Sequence, residues 1–202
     1  TFAQESSAGV GLRPALTEEP ADPGSQQIHK IEVTNLSAGT QTYYVFMRDI
    51  VGSDDAGTPI FADENSEKTG FEMSEWVTLN IEEMTLESGR SAVVEVTIDV
   101  PEEATPGSHF AGMFVSMEPP RMRSVGAAVG YEVASIFSIR VAGDVVENAD
   151  IRQFSTGNFI YGESVVDFNA RVENKGTVLV RPVGPLEVYN MFGKRVAFLT
   201  FN

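Results

Sequence analysis

Trp76-Val-Thr-Leu79, Ala92-Val-Val-Glu-Val-Thr-Ile-Asp-Val100, Phe110-Ala-Gly-Met-Phe-Val115 and the run from Val133 to Val141 together decide the fold. In the second segment Val94, Val96, Ile98 and Val100 alternate with Glu95, Thr97 and Asp99. A period of two with one apolar side describes a strand with one face on a core and the other in water. Glu87-Ser88-Gly89 separates the first two segments, and Thr105-Pro106-Gly107 follows Pro101. Such residues punctuate strands as turns. The reading is all-β, a sandwich of layered sheets.

The pattern extends on both sides. Over residues 26–34, Ile31 and Val33 point inward while Lys30, Glu32 and Thr34 point outward, and Asn35-Leu-Ser-Ala-Gly39 makes the turn. Thr42-Tyr-Tyr-Val-Phe-Met-Arg-Asp49 is apolar on both faces at its centre, as in a strand covered on both sides. Upstream, residues 1–9 read as a loose arm and residues 10–16 as an edge strand, because Pro14 cannot donate to a ladder. Residues 17–25, with Pro20, Pro23 and Gly24, read as a turn-rich connection. Residues 50–74 form the longest irregular stretch. Pro119-Pro-Arg-Met-Arg-Ser-Val-Gly126 reads as the tip of a projecting hairpin, returning as a strand by Val133.

Residues 143–148 look like a boundary, after which strand patterns restart at 151–154, 164–173, 184–189 and 195–201. Val166, Phe168, Ala170 and Val172 alternate with Asp167, Asn169 and Arg171. Val172-Glu-Asn-Lys-Gly-Thr177 echoes Val33-Thr-Asn-Leu-Ser-Ala-Gly-Thr40, so two related units are expected. The organisation is an arm and edge strand at 1–25, a sandwich at 26–145 and a second unit at 146–202. The second is too short for a seven-stranded sandwich. The expectation is that the natural protein continues past Asn202 or that another chain completes the unit.

The totals set limits. The 202 residues are 42% hydrophobic, enough for a real core. A formal charge of −15 argues against nucleic acid and anionic lipid as partners. With no cysteine there is neither a disulfide framework nor a thiolate site. No apolar run reaches the length of a membrane span. Thr1-Phe-Ala-Gln4 carries no charged or apolar leader, which suits an exported segment with its signal peptide already absent.

Chemistry has few candidates. His29 and His109 are the two histidines, and no nucleophile elbow, P-loop or metalloprotease motif accompanies them. The expectation is that the chain is not an enzyme and needs no cofactor. Hard cations take six to eight oxygen ligands. Asp49, Asp54, Asp55, Asp63 and Glu64 are therefore candidate calcium ligands, although their spacing is not that of a known calcium loop. Arg121, Met122 and Arg123, at a loop tip in an acidic protein, are candidate partner-binding residues.

The order of these pieces, and above all "DVPEEATPGSHFAGMFV" at residues 99–115, resembles bacterial cell-surface proteins with tandem immunoglobulin-like domains, the WxL-interacting-protein-like group. Similarity is most specific over residues 76–115 and looser over 26–190. It implies an Ig-like sandwich followed by a second, incomplete Ig-like unit. It also implies an extracellular, non-enzymatic adhesion or scaffolding protein that contacts other surface proteins or a cell-wall polymer. The acidic stretch at 50–74 fits that family poorly. Periplasmic pilus chaperones share the first-domain outline, but their paired basic residues for a subunit carboxylate are not recognisable here. The alternative is a filament subunit, self-associating through edge strands, whose arm at 1–16 adds to a neighbour's open edge.

Overall fold

The structure, a computed structural model, describes residues 9–63, 65–120, 132–157 and 165–201. The chain divides into two compact units, Thr1–Asp144 and Val145–Asn202. The first unit is an immunoglobulin-type β-sandwich of two facing sheets.

One sheet runs β1 (Val10–Arg13), β3 (Gln26–Asn35), β8 (Ser91–Asp99), β6 (Val77–Leu79), with every pair antiparallel. The other runs β2 (Leu16–Ala21), β10 (Glu132–Val141), β9 (Gly107–Ser116), β4 (Gln41–Ser53), β5 (Pro59–Phe61). β7 (Glu83–Leu86) also pairs with β4. A 3-10 turn, Ser74–Trp76, leads into β6.

Alternation builds the core between the sheets. Ile31, Val33, Val94, Val96 and Ile98 face Val45, Met113, Val115, Phe137 and Ile139, all at most 3% exposed. The run at 110–115 is buried on both faces for separate reasons. Met113 and Val115 enter the core, while Phe114 on the outer face lies between Phe46 and Phe61, with ring centroids 5.6 and 4.6 Å away.

The chain changes sheets at two places. The chain leaves β1 in one sheet, crosses at Pro14 and enters β2 in the other, parallel to β10. Residues 17–21, expected as a turn-rich connection, are thus mostly an edge strand. Pro20 is tolerated because an edge strand needs ladder bonds on one side only. At the opposite edge β6 pairs with β8 while β7 pairs with β4, the crossing made at Asn80-Ile81-Glu82. Such switches form the corners of a sandwich and shorten its open edges.

The stretch at 50–74 is more ordered than its composition suggests. β4 continues to Ser53 and turns back as β5, register Ile50↔Phe61 to Ser53↔Pro59. The segment before Trp76 then docks on β9 through the bridge Glu72↔Phe110.

The second unit holds two separate ribbons. One is β11 (Ala149–Thr156) with β12 (Phe168–Asn174), the other β13 (Gly184–Tyr189) with β14 (Arg195–Phe201). The sequence echo has a structural counterpart. Asn35 accepts from the Ser37 N–H and donates to the Gly39 carbonyl, and Asn174 accepts from Gly176 and donates to Val178 at the same offsets. A strand-final asparagine folds both turns through its own side chain.

Candidate interaction surfaces

The sequence-read acidic residues hold turns. The Asp49 carboxylate accepts from the Met73 and Ser74 N–H groups at 3.0 and 2.7 Å and from the Ser74 hydroxyl at 2.6 Å, tying β4 to the 3-10 turn. Asp54 takes the N–H groups of Ala56 and Thr58, and these bonds hold its carboxyl below the usual range. Asp63 does the same with Asn65 and the Ser66 hydroxyl. Asp55 lies in the exposed turn between Asp54 and Gly57, and Glu64 lies outside the described residues. Among the described residues no three His, Asp or Glu side chains gather to hold a metal ion. Arg121, Met122 and Arg123 also lie outside the described residues.

Both histidines pack within the first unit, His109 buried and His29 half-buried. His29 lies edge-on to Phe137 with centroids 5.7 Å apart, and burial lowers its pKa against the opposing charge of Glu19. His109 is 1% exposed and lies 4.5 Å from the Trp76 ring. Its two ring nitrogens meet the backbone carbonyls of Glu72 at 3.3 Å and Thr105 at 2.8 Å. Neither nitrogen meets a carboxylate, so His109 is not set up as a base oriented by an acid.

A feature only partly legible in the sequence lies in the second unit. In the β11–β12 ribbon a bulge between Ile151 and Gln153 shifts the register by one residue. Ile151, Phe154, Phe168, Ala170 and Val172 thereby share one face despite the odd number among them. The Phe154 and Phe168 rings stack at 5.9 Å. Charged pairs occupy the ribbon as well, Arg152 with Glu173 at 2.6 Å and Lys175 with Asp150 at 2.5 Å. The apolar face lies open, with Ile151 68% and Phe154 54% exposed. The β13–β14 ribbon is similar. Leu186, Val188, Ala197 and Leu199 share a face on which Leu199 is 51% exposed. Among the described residues of this unit, Val178 is the one buried apolar side chain. The alternation at 166–172 announced this face, but periodicity does not say what lies over it.

No family model matches the sequence, and no curated protein does. Solved structures do. The class 5 fimbriae chaperone CfaA is matched over 96% of this chain and 98% of that one, at 10% identity and a TM-score of 0.45. The CsuC–CsuE chaperone–tip adhesion subunit complex of Acinetobacter baumannii is matched over 96% and 90%, at 8% identity and 0.46. A family 123 glycoside hydrolase from Clostridium perfringens is matched over 66% of this chain and 27% of that one, at 13% identity and 0.42. Likeness at this level carries neither activity nor partners across. Among the described residues no helix is long and apolar enough to cross a membrane.

Proposed function

We propose that this chain is a non-enzymatic protein-binding module that works outside the cell and engages another protein through its second unit. One observation carries the reading: the second unit presents two amphipathic ribbons whose apolar faces lie open. Burying one large apolar side chain in full is worth about 1.5–3 kcal/mol. Covering several half-exposed ones therefore stabilises a complex by several kcal/mol. The resemblance to WxL-interacting-protein-like surface proteins supports an exported setting with other surface proteins as partners.

The test is site-specific photocrosslinking on intact cells, with the crosslinker at Phe154, at Leu199 and, for comparison, at Lys30 on the sandwich. Defined protein adducts from the two ribbon positions and none from Lys30 are expected. Equal labelling at all three, or adducts to polysaccharide alone, would overturn the reading.

A filament subunit is the second reading, favoured by the outer edges of both ribbons, which pair with no other strand among the described residues. Its donor differs from the sequence expectation. Val10–Arg13 is already paired with β3 and Leu16 with β10, so residues 10–16 are committed to their own sandwich. Regular fibres in electron micrographs support this reading, and monodisperse particles refute it.

A further inference from the structure

A groove of about 640 Å³ opens where β6 gives way to β7. It is lined by Phe46, Met47, Val77 and Leu79, with Pro119 at one end and Glu82 and Glu83 at the rim. The size lies within the range of natural ligand clefts.

The floor of the groove is a gap in the sheet. On the side of β4 away from β9, pairing with β7 ends at Tyr44↔Glu83 and pairing with β5 begins at Ile50↔Phe61. The Val45 N–H reaches the Glu82 carbonyl at 2.8 Å, and the Asp49 carbonyl takes the Ala62 N–H at 2.9 Å. Amides alternate sides along a strand. Met47 therefore directs its N–H and C=O to the same side as Val45 and Asp49, between the two bonds. No described strand pairs with it there. A strand edge with open amides is a template for a further extended segment.

We infer that this groove receives an extended segment of a partner protein that carries basic residues next to apolar ones. The backbone of the segment bonds Met47, an apolar side chain enters between Val77, Leu79 and Met47, and a lysine or arginine meets Glu82 and Glu83. Charge complementarity selects this occupant. Both glutamates are exposed and neither has an ion pair among the described residues. The whole chain carries −15, so an acidic segment would be repelled. The site belongs to the first unit and stands independently of any role for the ribbons.

The probe is a capped nine-residue peptide of alternating lysine and valine, titrated into the isotope-labelled full chain and followed by amide shifts in NMR spectra. Saturable shifts at Met47, Val77 and Leu79 are expected. Glu82→Gln and Glu83→Gln, both on the surface and so harmless to folding, each weaken binding roughly two- to fivefold. Methylating the central peptide nitrogen weakens it by roughly two- to tenfold, the worth of one hydrogen bond. A peptide with glutamate for lysine leaves the spectrum unchanged. The inference is overturned by an absence of saturable shifts, by diffuse shifts over the acidic surface that ignore N-methylation, or by shifts confined to the second unit.

Discussion

Asn35 offers the sharpest test of how the sandwich is held together. It is fully buried at the end of β3 and all its side-chain capacity is used. Its amide donates to the Gly39 carbonyl at 2.8 Å and the Leu86 carbonyl at 2.9 Å. Its oxygen accepts from the Ser37 N–H at 2.8 Å, the Ser37 hydroxyl at 2.5 Å and the Tyr43 hydroxyl at 2.8 Å. Consider Asn35→Ala. The bond to Leu86 is buried, and losing a buried partner costs about 1–3 kcal/mol. The turn bonds to Ser37 and Gly39 reach partly exposed groups that water can serve, adding about 1 kcal/mol. Tyr43 adds little, because its single proton has a second acceptor in the Gly9 carbonyl at 3.1 Å. The total is about 2–4 kcal/mol, a large share of the stability of an ordinary domain. Tyr43→Phe is the matched control. Gly9 keeps the Leu36 N–H and Asn35 keeps Ser37, so nothing is orphaned and the cost is about 0.5–1.5 kcal/mol. Trp76, the sole tryptophan, reports on the first unit, so urea unfolding followed by its fluorescence measures both variants. The midpoint should fall and the slope stay unchanged. If Asn35→Ala costs less than 1 kcal/mol, or Tyr43→Phe costs as much as Asn35→Ala, the network is not acting as described.

Three further outcomes follow from named contacts. A Cβ at Gly176 would sit 2.1 Å from the Val146 carbonyl oxygen, so Gly176→Ala should cost the second unit about 1–3 kcal/mol and leave the Trp76 transition unmoved; faster amide exchange confined to 145–201 is the readout. Burial disfavours the Glu72 charge, but hydrogen bonds from Thr69 and Gly70 outweigh it and hold the carboxyl below its ordinary 4.5. The unfolded chain binds that proton first, so the stabilisation is full above pH 4.5 and is lost as pH falls through the folded value; Glu72→Gln should flatten that part of the stability profile. Burial likewise lowers His29 below 6.5, so stability declines as pH drops from 6.5 toward the folded value, and His29→Gln should remove that decline in the same unfolding assay.

The central strands were legible because their periodicity and their burial have one cause. Val94, Val96 and Ile98 alternate with polar residues and are fully buried. The edge strand at 16–21 was not legible, since Glu18, Glu19 and Pro20 have no apolar beat and its partner, β10, is far away in sequence. In the acidic stretch Asp54 and Asp63 each sit two residues before an N–H that their carboxylate accepts, a local turn signal visible in the sequence. The open faces of the second unit fall between these cases. Their alternation was readable, but what lies against a face depends on the rest of the fold.

The sheet-switching start of the chain bears on how the first unit resists being pulled. β2 and β10 run parallel, in register from Leu16↔Ile136 to Ala21↔Val141. Tension that enters at the leading end of β2 and leaves at the trailing end of β10 drags the two strands past one another along their length. Every rung between them is then loaded at once, as in a lap joint, and none opens ahead of the rest as in a zipper. A module held between two anchored bodies would meet traction with its strongest geometry.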